Sequence, residues 1–173
     1  MRTLDEPVHV VGHRVEWAMQ AAAEAARVAQ ALDVAAADVE HIGSTAVPGL
    51  AAKPIVDLML GVPGYPAPSL QPALVALGYE ALGEAGVAGR AYYRLRHGAS
   101  FNLHVVLKGG SHWQSNLALR NYLRSSSAAR QRYTQAKQAA VAAGASTLLS
   151  YSAAKAAVVA SLLQEARGGN NGG

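Results

Sequence analysis

The stretch His41-Ile42-Gly43-Ser44-Thr45-Ala46-Val47-Pro48-Gly49-Leu50-Ala51-Ala52-Lys53-Pro54-Ile55-Val56-Asp57-Leu58-Met59-Leu60 decides how this chain is read. It begins as a strand ending at Gly43-Ser44, where a missing Cβ lets a ligand approach the main chain. Ser44 and Thr45 offer hydroxyls and the turn offers N–H donors, a combination suited to phosphate. Pro48-Gly49 marks a loop, and Lys53 adds a mobile cation. Residues 54–61 then read as a second strand, apolar on both faces except at Asp57, so it belongs inside a sheet. An ionised carboxylate there is costly unless it is paired, metal-bound or turned to a cleft. Spacing alone leaves a plainer alternative: an ordinary turn, with Asp57 capping a neighbouring loop.

Outward from this stretch, residues 38–43 form the short strand. Residues 13–32 form an alanine-rich helix with Val15, Met19, Ala22, Ala26 and Ala29 near a 3.6 period. Residues 63–68 are a rigid connector. Residues 69–77 read as a helix with Ser69 as N-cap and Gly78 as stop. Strand-like pieces follow at 79–82, 91–95 and 101–107, with Gly83, Gly86, Gly89 and Gly98 at the turns. Residues 115–124, 126–143 and 149–167 are helical by pattern. The order predicts an α/β (α+β) layer with a mixed sheet flanked by helices and a helical C-terminal part. A single domain over 1–167 and a flexible tail over 168–173 are expected.

The chain has 173 residues, 51% of them hydrophobic, and no cysteine. That excludes disulfides, thiolate metal sites and cysteine nucleophiles, and fits a reducing, cytoplasmic setting. The acidic start is unlike a secretory signal. No run is long enough for a membrane span, so no membrane partner is expected. Neither a dinucleotide-binding GxGxxG after the first strand nor a P-loop is present. Residues 1–61 hold four Lys/Arg against eight acids, a net of −4, whereas residues 62–173 hold eleven against three, a net of +8. The asymmetry points to an anionic partner for the second half. The dispersed basic residues favour a small phosphorylated ligand over a nucleic acid, for which no recognition motif is present.

The quoted stretch resembles the signature of the GrpB family, a group with the nucleotidyltransferase fold. Further elements resemble that family in order: Trp17; the strand Phe101–Val106; Gly110-Ser111-His112-Trp113, spaced one residue tighter; Arg120-Asn121-Tyr122-Leu123-Arg124; and Tyr133, Lys137, Tyr151 and Lys155 in the helical tail. Related domains occur attached to a coenzyme A biosynthetic kinase in some bacteria, which suggests nucleotide-like ligands. In the wider superfamily a Gly-Ser turn holds a triphosphate and a strand supplies Asp-x-Asp/Glu. Residues i and i+2 share a strand face, so two carboxylates share hard cations there. The resemblance therefore casts Gly43, Ser44, Thr45 and Lys53 as the phosphate cradle and Asp57 as the Mg²⁺ ligand. The second acid position is Met59, and the third falls where only Asn102 and His104 can donate.

Beside the cradle, Arg90, Arg94 and Arg96 lie on or next to one strand, and Arg120, Arg124 and Lys155 are further phosphate candidates. Arginines on an edge strand also serve solubility. His41 precedes the Gly-Ser turn and His104 lies mid-strand, where it is either a core histidine or a ligand contact. If their strands are neighbours, His41, Asp57 and His104 converge as an acid–base set or hold a borderline metal. Three readings result. The first is a nucleotidyltransferase-like transferase that binds a nucleotide or phosphorylated small molecule with Mg²⁺. The second is a non-catalytic ligand-binding domain. The third is an enzyme of the same fold running His/Asp acid–base chemistry.

Overall fold

The computed structural model describes residues 4–168. Helix α1 (Glu16–Leu32) leads into strand β1 (Val39–Ile42), and β2 (Val56–Val62) follows the quoted loop. Helix α2 (Gln71–Ala76), strands β3 (Glu80–Ala81), β4 (Arg90–Leu95) and β5 (Phe101–Leu107), and helices α3 (Ser111–Ser125), α4 (Ser127–Ala142) and α5 (Leu148–Gly168) complete the order. The five strands form one sheet, β1-β2-β5-β4-β3, in which only the β2–β5 pair is parallel. This is the mixed sheet the element order predicts, with β2 inside it.

Register assigns the two faces, because successive side chains on a strand alternate sides. Val39, Leu58, Leu60, Leu103, Val105 and Tyr93 point to one face and pack with Trp17, Ala21 and Val28 of α1 and Leu74 of α2. Ile42, Met59 and Val106 point to the other and pack with Trp113 and Leu117 of α3. Asp57, Asn102, His104 and Tyr92 lie on this second face, toward the C-terminal helices.

Of the stripe expected for helix α1, only Ala29 is buried. Trp17, Ala21, Glu24, Val28 and Ala29 face the sheet, whereas Val15 and Met19 are exposed. Alanine fits either side of a helix, so the large Trp17 and the branched Val28 set the face. Glu24 tolerates burial because it accepts hydrogen bonds from Tyr79 Oη (2.7 Å) and the Arg27 guanidinium (2.7 and 2.9 Å). Ser69 does not cap α2. It sits inside a 3-10 turn, Pro68–Leu70, and the helix starts at Gln71. Gly78 does end it, at φ +101°. Of the tail 168–173, Gly168 closes α5, and 169–173 lie outside the described residues.

His41 needs the largest correction. It pairs with Leu58, not Asp57, and so belongs to the α1 face. Its Nε2 meets Thr45 Oγ1 at 2.8 Å. The convergence of His41 with Asp57 and His104 therefore does not form, because a one-residue offset puts neighbours on opposite sides of a sheet. Burial, with Arg124 and Arg120 nearby, outweighs the attraction of Asp57 and lowers the His41 pKa to about 4.

Two outcomes follow from the packing. The Cβ of alanine at position 61 would lie 2.7 Å from Trp113 Cζ3 and 3.0 Å from Lys108 Cβ. Gly61→Ala should cost about 1–3 kcal/mol in urea unfolding, and less in a Trp113→Leu background; equal costs in both backgrounds would refute the contact. His41 titrates lower folded than unfolded, so the unfolded chain takes the proton first as pH falls. Stability should drop by about 2–3 kcal/mol between pH ~6.5 and ~4, and His41→Gln should flatten that limb of a Tm-versus-pH curve.

Candidate functional site

The second sheet face and the C-terminal helices do not close on each other completely. Between them lies a cleft of ≈ 330 Å³. Its floor is Asp57, Asn102, His104, Tyr92 and Arg90; its corner is Gly43 with Lys53. The facing wall comes from Asn116 and Leu119 of α3, Tyr133 of α4, and Leu149, Lys155 and Val159 of α5. The N-terminal strap keeps that wall in place. Leu148 N–H donates to Glu6 O (2.8 Å) and Leu149 N–H to Asp5 Oδ1 (2.9 Å), which ties the start of α5 to residues 5 and 6.

Asp57 is the hub of the floor. Its Oδ1 accepts from Asn102 Nδ2 (3.0 Å) and His104 Nε2 (3.1 Å), and its Oδ2 faces Lys53 Nζ at 3.5 Å. Burial alone would raise its pKa; Lys53, His104 and Asn102 outweigh that and hold the carboxyl far below the usual range. The pairing β2–β5 makes this arrangement, since Asp57 lies opposite Asn102 and Met59 opposite His104. Arg90 NH1 stands 3.5 Å from His104 Nδ1. A guanidinium only donates, so Nδ1 accepts and Nε2 carries the proton toward Asp57. With a protein group on each nitrogen, His104 orients the carboxylate and holds no free lone pair toward the cleft.

The Gly-Ser corner is shaped by this acid. Gly43 has φ +73°, and a Cβ there would lie 3.1 Å from Asp57 Oδ2. The missing side chain makes room for the carboxylate. Ser44 Oγ meets Tyr133 Oη at 3.1 Å, and Thr45 is buried against His41. Arg120 NH1 donates to Glu40 Oε2 (2.6 Å) and His41 O (3.0 Å), and Arg124 Nε donates to Ala46 O (2.8 Å), so both brace β1 and the corner.

The arginines of β4 divide sharply. Arg94 is buried on Glu80 (2.8 Å), and Arg96 donates to Glu6 (2.8 and 2.9 Å), to two carbonyls and to Asn102 Oδ1 (2.8 Å). Neither lines the cleft. Arg96 instead orients Asn102, which in turn holds Asp57. Arg90 does line it, over the Tyr92 ring at 4.9 Å. Lys155 lines the opposite wall, with Nζ donating to Tyr133 Oη (3.1 Å) and lying 4.6 Å from the Tyr151 ring centre. Among the described residues, neither Arg90 nor Lys155 has a carboxylate within ion-pair distance. Tyr133, named in the sequence only as a family-like residue of the helical tail, and Asn102, named only at the third acid position, both become site residues in the structure. The local signal for Asn102 is a polar residue two before His104 on the same strand face; Tyr133 meets Lys155 only through the packing of α4 against α5, which no local spacing encodes.

No three His, Asp or Glu side chains among the described residues cluster for a metal ion. The donor chemistry agrees poorly with a Mg²⁺ pair. Mg²⁺ needs oxygen ligands, but among the described residues Asp57 is the one cleft carboxylate, and both its oxygens already face N–H donors or an ammonium. Met59, where a second acid would stand, is buried against Trp113 and Leu117.

Comparison with known proteins supplies the relationship. The chain is 36% identical over 108 residues to a UPF0157 protein of Pseudomonas aeruginosa, 59% of this chain and 45% of that one. It is 36% identical over 89 residues to a UPF0157 protein of Bacillus subtilis, covering 50% of this chain and 26% of the relative. A UPF0157 protein of Deinococcus radiodurans is 35% identical over 127 residues, 73% and 66% of the two chains. The matches thus span less than half the length of the first two relatives. The crystal structure of the conserved protein GrpB from Enterococcus faecalis superposes with a TM-score of 0.78 at 32% identity, over 91% of this chain and 96% of that one. The profile described as "GrpB protein" matches residues 7–165. This chain is a member of the GrpB family.

Proposed function

We propose that the cleft binds a small phosphorylated molecule, of which a nucleotide is one candidate, by direct contact with cationic side chains and without a bridging metal ion. The observation that carries this reading is the charge of the lining. Lys53, Arg90 and Lys155 face one carboxylate, and Asp57 is already matched by Lys53. Arg90 and Lys155 therefore bring positive charge into a cleft that, among the described residues, has no further acid to neutralise it. Such charge in a concave, partly apolar site favours anionic ligands strongly. The apolar residues Leu119, Leu149 and Val159 on the facing wall offer contact for the uncharged part of the ligand.

The alternative with a Mg²⁺-linked nucleotide requires the ion to displace Lys53 from Asp57 Oδ2, with no second carboxylate among the described lining residues to share it. Adenylyl transfer by a metal pair has no support from the donor set. A purely binding role and a catalytic one share this site, and both begin with anion capture.

Calorimetry with inorganic phosphate and a panel of mononucleotides separates the cases. Binding should weaken with salt and should be the same in Mg²⁺ and in EDTA. Arg90→Ala and Lys155→Ala should each weaken it by about tenfold or more, the scale of a hydrogen bond to a charged group. Asp57→Asn removes the cleft's negative charge and should tighten binding by roughly fivefold, about 1 kcal/mol. If Asp57→Asn instead abolishes a Mg²⁺-dependent affinity, the metal-free reading is wrong.

A further inference from the structure

The helical wall carries a group that anion capture does not require. Tyr133 lines the cleft, and its Oη accepts a hydrogen bond from Lys155 Nζ (3.1 Å) and shares another with Ser44 Oγ (3.1 Å). Three separate elements bring these atoms together: the turn after β1, helix α4 and helix α5. We propose that Ser44, Tyr133 and Lys155 form a proton-transfer centre, in which Tyr133 Oη exchanges one proton with an oxygen of the bound ligand. This rests on the cleft being the ligand site, and it restricts the ligand to phosphorylated molecules that also carry a hydroxyl or carbonyl oxygen.

The step is balanced without a redox partner. In one direction, phenolate takes the proton of a ligand hydroxyl; the O–H electron pair stays on the ligand oxygen, and Tyr133 becomes neutral. In the other direction the phenol returns that proton. Lys155 supplies the compensating charge and Ser44 donates to the phenolate oxygen, so the two forms are close in energy. His104 does not compete for the role, because Asp57 and Arg90 occupy its two nitrogens.

The surroundings of the phenol are strongly cationic. Burial pushes its pKa up, but Lys155, the Ser44 hydroxyl and Lys53 outweigh burial and hold it below the ordinary tyrosine value. Lys137 Nζ lies 4.7 Å from the Tyr133 ring centre and bonds to Ala51 O. Burial, then Lys155 and Lys53, lower the Lys137 pKa to about 6, so it is neutral where a phenol titrates. Tyr151, across Lys155, is shifted the opposite way by burial and by Tyr133. Tyr65, Tyr79, Tyr92, Tyr93 and Tyr122 are raised as well. Tyr133 is therefore the one tyrosine of seven displaced downward.

Spectrophotometric titration of phenolate absorbance tests the centre directly on the full chain. One tyrosine should ionise ahead of the other six. Tyr133→Phe should delete that early step and leave the rest, and Lys155→Gln should move it upward; this second variant decides the matter if Tyr133→Phe does not fold. An early step that survives Tyr133→Phe, or seven phenols titrating together at or above the usual value, overturns the proposal. Inorganic phosphate then divides the two hypotheses. Phosphate that binds by calorimetry and raises the early step supports both. Phosphate that binds without moving it overturns the proton-transfer role, because the phenol does not face the ligand. Failure of phosphate and mononucleotides to bind removes the cleft reading, and with it the proposal, even if the early step is present.

Discussion

A carboxylate buried in a β-sheet must be matched, and the matching of Asp57 organises this molecule around its cleft. Three donors from two places surround it: Asn102 and His104 from the parallel neighbour β5, and Lys53 from the loop before its own strand. Each is itself held. Arg96 orients Asn102, and Glu6 from the N-terminal strap orients Arg96. Gly43 is a glycine because the carboxylate fills the space where a Cβ would be. The cost of desolvating one acid thus accounts for a glycine, a histidine tautomer and an ion pair between chain segments ninety residues apart.

The distribution of charge follows from the same constraint. Most basic residues of the C-terminal half are occupied in bracing. Arg94 and Arg96 pair with Glu80 and Glu6, Arg120 with Glu40, and Arg132 with Glu165. The net excess of positive charge seen in the sequence is therefore a poor guide to how much faces a ligand. What reaches the cleft without an acid is Arg90, steadied by the Tyr92 face and main-chain carbonyls, and Lys155, steadied by Tyr133 and Tyr151. Aromatic faces and neutral oxygens orient a cation without cancelling its charge. That is the condition an anion-binding wall requires.

Much of the fold was legible because its strands and helices differ in period and are separated by glycines. Gly83, Gly86, Gly89 and Gly98 all adopt positive φ where turns were expected. The Asp57 strand was recognisable as internal from apolar residues on both faces, and Met59 proved to be core. What was not legible depends on long-range register. The offset that pairs His41 with Leu58 separates it from Asp57, and no local pattern encodes that offset. Arg94 and Arg96 were misread for a related reason. Arg94 is taken by Glu80 across the β3–β4 register, and Arg96 by Glu6 about ninety positions away, in a segment with no strand or helix pattern to place it. The α1 face was misjudged because alanines carry little weight beside a single Trp17.

The two walls of the cleft divide chemical labour along the chain. On the sheet wall the acid is matched by Lys53, the histidine nitrogens are engaged and the glycine corner is filled, which leaves Arg90 as its uncancelled charge. The helical wall carries an ammonium with no acid beside it and a phenol between two polar partners. Proton exchange at a cleft needs a group whose two states are both tolerated in place. Asp57 fails that condition, because three donors fix its charge. Tyr133 meets it, because Lys155 stabilises the anion while Ser44 can either donate or accept. In a fold whose conspicuous acid lies on a central strand, the reactive proton then belongs to the helices packed across from it.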